Sequence, residues 1–104
     1  MRDIIYEMFE KAKATNDIKT MAALYAGNPG SHKIALEYAR FLRDEGNKNK
    51  DREKLYEAGK IFTELLDTRN RNYALLELGK LQIIFNKPEK AKRWFDKIQA
   101  QEKP

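Results

Sequence analysis

Apolar residues recur along this chain at the three- to four-residue spacing of α-helices, and short polar or Gly- and Pro-containing stretches separate the runs. The stretch 72–104 shows the pattern most fully, because its first helix is apolar on three sides of a helical wheel. A surface helix of a globular protein usually has one apolar stripe. We therefore predict that this helix lies inside the fold and packs against several neighbours.

The wheel divides this helix into three packing faces and one polar strip. The packing faces are Leu75 with Gly79, Leu76 with Ile83, and Leu78 with Leu81 and Phe85. The strip predicted to stay exposed holds Tyr73, Glu77, Lys80 and Ile84. Asn86 tolerates a left-handed turn, and Pro88 suits the first turn of a second helix. That second helix is predicted to bury Ala91, Phe95 and Ile98.

The order of these residues resembles the signature of the tetratricopeptide repeat (TPR), a helix-turn-helix unit of about 34 residues. The residues that carry the resemblance are Leu75, Leu78, Gly79, Ala91, Phe95 and Pro104. Leu75 stands where the family usually has Trp, Gln82 stands where it has Tyr, and Pro104 comes one residue later than the family's closing Pro. The resemblance implies an all-α fold of stacked antiparallel hairpins, an α-solenoid.

Two further hairpins are predicted upstream. Helix one is predicted to run from Asp3, its N-cap, to about Ala14, with Ile5, Met8, Phe9 and Ala12 on one face. Asp17 caps helix two, which carries Ile18, Met21, Leu24 and Tyr25 and ends at Gly27. Ser31 caps helix three, which is predicted to end at Gly46, and helix four buries Leu55, Ala58, Ile61, Phe62 and Leu65. The chain is thus predicted to be one domain of about six helices, with hairpins at roughly 1–30, 31–70 and 71–104.

The second and third hairpins read as copies of one pattern. Ala39 corresponds to Gly79, and Ala58 with Phe62 corresponds to Ala91 with Phe95. The interval between the second helices, from Ala58 to Ala91, is close to the TPR period of about 34 residues. The interval from Ala39 to Ala58 is longer than that from Gly79 to Ala91, so the second hairpin has seven additional residues. We assign them to a longer turn and two added turns of helix four, within 47–54.

Composition narrows the function classes. The chain has no cysteine, which excludes disulfides and thiolate chemistry. Its 104 residues include no apolar run of the 18 or so residues needed to span a membrane, and its start lacks a secretory h-region, so we expect a cytoplasmic protein. The net charge of +5 favours acidic partners, although interspersed charges of both signs are also ordinary on helix surfaces.

The residues that carry enzyme chemistry do not converge. His32 stands alone beside a predicted helix start, and no phosphate-binding loop, metal-ligand cluster or nucleophile motif is present. Glu37 and Asp44 each lie three or four residues from a basic residue, the spacing of surface ion pairs. We expect no catalysis, no cofactor and no metal.

The resemblance to the TPR family implies that the first helices of the hairpins line an inner surface that binds a peptide or a segment of a partner protein. The candidate groove residues are Lys33, Glu37, Arg40, Tyr73, Glu77, Lys80 and Ile84. Arg40 and Lys80 occupy equivalent places, so both are expected to meet the carboxylates of an acidic peptide. The competing interpretation is that Glu37 and Glu77 neutralise these cations and leave an ordinary ion-paired face.

Two other surfaces are candidates. The turns within the second and third hairpins bring together Lys48, Lys50, Arg52, Lys87, Lys90 and Lys92, a basic edge for a nucleic-acid-binding adaptor, with no aromatic residue interleaved. Around Trp94 and Ile98, the last helix either pairs with a second copy as a homodimer or continues into a longer repeat array. Trp94 alternatively packs sideways within its own hairpin.

Overall fold

The computed structural model of the protein describes residues 3–101, with side chains described for residues 3–98. It contains six α-helices, which are α1 (Ile4–Ala14), α2 (Ile18–Gly27), α3 (His32–Asn49), α4 (Arg52–Glu64), α5 (Arg71–Ile84) and α6 (Pro88–Gln101), and a 3₁₀ turn at Leu65–Asp67. No strand occurs within residues 3–101. The protein has an all-α helical-repeat fold, as predicted, while the predicted closing role of Pro104 lies outside the described residues.

Consecutive helices pair as antiparallel hairpins, and the hairpins stack so that α3 lies between α1 and α5. The second helices also touch the next first helix, α2 against α3 and α4 against α5. The largest fully buried side chains come from all three hairpins, and they are Phe9, Met21, Ile34, Leu42, Phe62, Leu75 and Glu77. The five residues predicted to form the buried face of helix four are all buried, although the last of them, Leu65, lies in the 3₁₀ turn and not in α4.

The three turns within hairpins share one geometry. Asn16, Lys50 and Asn86 each follow the end of a first helix with φ of 59°, 54° and 60°. In each turn the next residue's N–H donates to the carbonyl five residues earlier, at 2.8 Å. This arrangement satisfies carbonyls that a helix end leaves unpaired, and Asn adopts the left-handed conformation more readily than most residues. The helices of all three hairpins are therefore joined by turns of one backbone conformation.

The sequence pattern predicted that α3 ends at Gly46. In the structure, Gly46 instead lies buried within α3. A Cβ there would lie 2.9 Å from Leu55 Cγ and 3.0 Å from the Asp51 carbonyl oxygen, so this glycine permits α4 to approach closely. The helix continues to Asn49, and Asp51 caps α4 by accepting the Lys54 N–H at 3.3 Å. The predicted helix end was wrong because Gly46 allows α3 and α4 to pack closely and does not terminate α3.

The seven additional residues of the second hairpin are also placed differently from the prediction. Ala39 precedes the left-handed Lys50 by eleven residues, whereas Gly79 precedes Asn86 by seven, so four of the additional residues lengthen α3. The remaining three lie between Lys50 and Ala58 and lengthen α4. Each helix of the hairpin gains about one turn, at 3.6 residues per turn, and the turn itself stays short.

The small residues predicted to face partner helices do so. Ala39 is fully buried, and a Cβ on Gly79 would overlap the ring of Phe95. Some predicted packing positions, however, are exposed, namely Met8, Leu76 and Ile83. A helical wheel gives the direction of a side chain but not whether another helix lies in that direction. On α1 and α5 these directions point away from the neighbouring hairpin.

Candidate binding surface on the first helices

A cleft of about 420 Å³ runs over the first helices, and we call it the first-helix groove. Its lining consists of Lys13, Glu37, Arg40, Phe41, Arg43, Asp44, Glu77 and Lys80. The structure therefore brings together four of the predicted groove residues, which are Glu37, Arg40, Glu77 and Lys80. It adds Lys13 from α1 and Arg43 from α3, which sequence reasoning missed.

Glu77 lies at the base of this groove and is only 2% exposed. The Nε of Arg40 donates to one of its carboxylate oxygens and the Nη1 of Arg43 donates to the other. Lys80 Nζ lies 3.7 Å from Glu77 Oε1. The expectation that Glu77 belongs to an exposed strip was wrong, because the two arginines of α3 cover it.

The protonation of Glu77 follows from these contacts. Burial raises its pKa, but the hydrogen bonds and charges of Arg40 and Arg43 outweigh burial and hold the pKa below its usual value. The carboxylate is thus ionised at neutral pH and is neutralised by α3. It ties α5 to α3 and is not available to a ligand.

A second ion pair joins α1 to α3 in the same way. Lys13 Nζ lies 3.1 Å from Glu37 Oε2, and Arg40 Nη1 lies 3.3 Å from Glu37 Oε1. The hydrogen bond to Glu37 raises the pKa of Lys13 despite its partial burial. Glu37 and Glu77 therefore each receive a cation from the preceding first helix. Lys13 and Arg43 occupy equivalent places on α1 and α3, and this equivalence is the sequence signal that links the two pairs.

The remaining predicted groove residues lie at different places. Tyr73 is exposed beside the groove, with its ring centroid 5.8 Å from Arg40 Cζ. Lys33 is exposed near α1, and its Nζ lies 3.6 Å from the ring centroid of Tyr6. Ile84 lies at the turn end of α5, in a cleft with Lys50 and Arg52. The structure thus separates Ile84 from the other candidates.

Aromatic residues lie beside the lysines of the predicted basic edge. Lys87 and Lys90 line one cleft with Tyr56 and Phe85, whose rings stack with centroids 5.6 Å apart. Lys92 does not add a free cation to this edge, because its Nζ pairs with Asp96 Oδ2 at 2.8 Å. The expectation of an edge without aromatics was wrong, since α4 places Tyr56 beside Phe85, Lys87 and Lys90 of the third hairpin.

Trp94 and Ile98 are both half-buried. Trp94 packs against the main core and lines the cleft between α4 and α6 together with Tyr56 and Gly59. Trp94 therefore contacts the preceding hairpin and does not pack only within its own.

The acid sensitivity of the fold should depend on Glu77. Because the pKa of Glu77 is lower in the folded state than its ordinary value of 4.5, its ion pairs contribute fully above that pH and are lost as the pH falls through the folded pKa. We expect the free energy of unfolding, measured with urea from about pH 7 to about pH 3, to fall less steeply below about pH 4.5 in a Glu77→Gln variant. The exposed Glu57→Gln should keep the wild-type slope; equal slopes in all three proteins would contradict the assignment.

Other features of the described chain bear on function class. None of the helices in residues 3–101 has the length and apolarity needed to cross a bilayer. Over the same residues, no three acidic or histidine side chains are grouped to hold a metal ion, and His32 is exposed at the start of α3. Comparisons of the chain with protein-family models, with curated proteins and with solved structures found no match.

Proposed function

We propose that this protein is a non-catalytic scaffold of the TPR type, which binds a peptide or a segment of a partner protein across its first helices. The proposal is supported by the adjacency of α1, α3 and α5, whose side chains line one continuous groove. Phe41 and the exposed Tyr73 offer apolar contact beside its charges. Such a combination suits an extended ligand that carries both charged and apolar side chains.

The groove favours an acidic ligand because its glutamates are already paired. Lys13, Arg40 and Arg43 neutralise Glu37 and Glu77. Among the candidate groove residues, the cations left exposed are those of Lys80, which lines the groove, and of Lys33, which lies outside its lining near α1. This burial and neutralisation of Glu77 is the observation on which the acidic preference depends. Carboxylates of a bound peptide would meet the two lysines, while the arginines keep their structural contacts.

The test reverses the two exposed lysines, since Arg40 cannot be changed without disturbing Glu77. We expect Lys33→Glu with Lys80→Glu to weaken binding of a fluorescein-labelled Glu-rich peptide about tenfold or more, as two charge reversals are worth on the order of 1–2 kcal/mol. Fluorescence anisotropy at low salt measures the affinity. The matched control, Lys19→Glu with Lys60→Glu, makes the same change in net charge on exposed positions of α2 and α4.

Retained affinity in the control and loss in the groove variant would support the proposal. Equal loss in both variants would mean that only net charge attracts the peptide. Absence of binding by the wild-type protein at low salt would mean that the groove is an ordinary ion-paired face. Either result would overturn an acidic ligand for this surface.

A further inference from the structure

The three first helices can be compared position by position. The left-handed residues Asn16 and Asn86 place α1 and α5 in register, and Ala39 with Gly79 relates α3 to α5. Together these pairs fix which position of each first helix matches which position of the others. By this register, Glu7 corresponds to Glu37 and Glu77.

Each first helix has a face that receives the next hairpin, which we call the receiving face. Its positions are Tyr6, Glu10 and Lys13 on α1, Leu36, Arg40 and Arg43 on α3, and Leu76, Lys80 and Ile83 on α5. On α1 and α3 this face is occupied, since Lys13 pairs with Glu37 and Arg43 with Glu77. On α5 it is open, because Ile83 is 54% exposed and Leu76 is exposed, whereas the corresponding Leu36 is buried.

Each first helix also has a docking face, which presses against the preceding hairpin. Its positions are Ile4, Glu7 and Met8 on α1, Ile34, Glu37 and Tyr38 on α3, and Ala74, Glu77 and Leu78 on α5. On α3 and α5 the apolar members are buried. On α1 they are open, with Ile4 62% and Met8 46% exposed. The described chain thus presents one open face of each kind.

We infer that the docking face of α1 in one molecule binds the receiving face of α5 in a second copy, head to tail. The charges match the contact already present inside the chain. Lys80 corresponds to Arg40, and Glu7 corresponds to Glu77, the partner of Arg40. The new contact therefore repeats a cation-to-glutamate pairing that the fold makes between α3 and α5.

The apolar parts of the two open faces match as well. Ile4 and Met8 would cover Leu76 and Ile83. Inside the chain, Ala74 and Leu78, which correspond to Ile4 and Met8, and Leu36, which corresponds to Leu76, are all buried in the main core. The last hairpin adds Phe95 and Ile98, which are half-buried, whereas the corresponding residues of the second hairpin, Phe62 in α4 and Leu65 in the 3₁₀ turn, are buried. Both partners of the contact exist on the same chain, and this is the reason for choosing a second copy as the occupant.

A head-to-tail contact uses two different surfaces, so it does not close into a symmetric pair. Association should continue from copy to copy, and the average mass should rise with concentration without a plateau at the dimer. We expect sedimentation velocity to show masses above the 12.2 kDa monomer as the concentration rises from about 10 µM to about 1 mM, the range of weak contacts. No peptide is present in this measurement, so its result is independent of the proposed groove function.

Two blocked variants give the decisive test. Met8→Glu blocks the docking face and Ile83→Glu blocks the receiving face; both residues are exposed, so circular dichroism and thermal melting should confirm an intact fold. Each variant alone should stay a monomer. An equal mixture should form a discrete dimer, because each variant keeps the open face that the other lacks. Tyr56→Glu, at an exposed aromatic outside both faces, should assemble like the wild type.

The charge pairing has its own check. Lys80→Glu should weaken assembly about fivefold or more, and adding Glu7→Lys to the same chain should restore it, because the pair is then reversed and not lost. A wild-type protein that is monomeric at every concentration would overturn the inference. So would a symmetric dimer that either blocked variant still forms, or a mixture of the two variants that stays monomeric.

Discussion

Replacing Glu77 by Gln is expected to lower the free energy of unfolding by about 2–4 kcal/mol, one of the two largest effects in this protein. Removing one member of a buried ion pair typically costs about 3–5 kcal/mol, and the partial exposure of the two arginines reduces that figure. Arg40 and Arg43 would then face an amide in place of the carboxylate that both of them bind. Since domains of this size are stabilised by roughly 5–15 kcal/mol, the loss is a large fraction of the total.

Urea unfolding followed by circular dichroism measures this loss, and the melting temperature should fall by about 10–25 °C. Glu57→Gln, at an exposed position of α4, is the matched control and should change stability by less than about 0.5 kcal/mol. A triple variant with Leu at 40, 43 and 77 should recover part of the loss, because no unpaired charge is left. If Glu77→Gln were as stable as its control, the carboxylate would not be holding α5 to α3.

Replacing Gly79 by Leu is expected to cost about 2–3 kcal/mol, because an overpacked contact forces side chains or backbone to move. The ring of Phe95 occupies the space that any side chain at this position would need. Gly79→Ala should cost less, since alanine adds only a Cβ beside the Phe95 ring and also gains about 1 kcal/mol of helix propensity over glycine. Gly27→Leu is the control on α2, where nothing lies within 4 Å of an added Cβ.

The origin of that cost can be tested with a second substitution. Phe95→Ala empties the space beside Gly79, so Gly79→Leu should be tolerated better in the Phe95→Ala background. We expect a coupling of about 1 kcal/mol or more in the double-mutant cycle measured by urea unfolding. Strictly additive effects would mean that the two helices do not depend on this contact for their close approach.

Most of the fold was predictable because its signals are local. Asp3, Asp17 and Ser31 cap the helices they were expected to cap, each accepting a backbone N–H three residues later. Asn16 and Asn86 mark two of the three turns. Periodicity and capping depend on neighbours in the sequence, and they were sufficient to give six helices in three hairpins.

The errors arose where the outcome depends on a distant segment. Periodicity alone could not distinguish the buried Glu77 from the exposed Ile83, since both lie on α5 and their burial is decided by where α3 lies. Gly46 was misread for the same reason, because its role is set by contact with α4. The angular position of a residue on a helix is a local property, but its burial is a tertiary one.

In the candidate groove, too, local features could be predicted from the sequence and contacts between distant segments could not. The sequence indicated Arg40 and Lys80 as equivalent, but only the structure separates their roles. Arg40 pairs with both Glu37 and Glu77, whereas Lys80 is half exposed and its Nζ lies 3.7 Å from Glu77. Lys13 and Arg43 were missed because an ion pair between helices far apart in sequence leaves no local pattern.

The division of the seven additional residues between α3 and α4 limits how this hairpin can change length by insertion or deletion. By the correspondence with Gly79 and Phe95, Ala39 is expected to face the ring of Phe62, and removing about one turn from each helix would shorten the hairpin and keep that pairing. Removing the same number from one helix alone would slide that helix past its partner and take the small residue away from the ring. A tolerated change of length therefore requires two matched deletions, one on each side of Lys50.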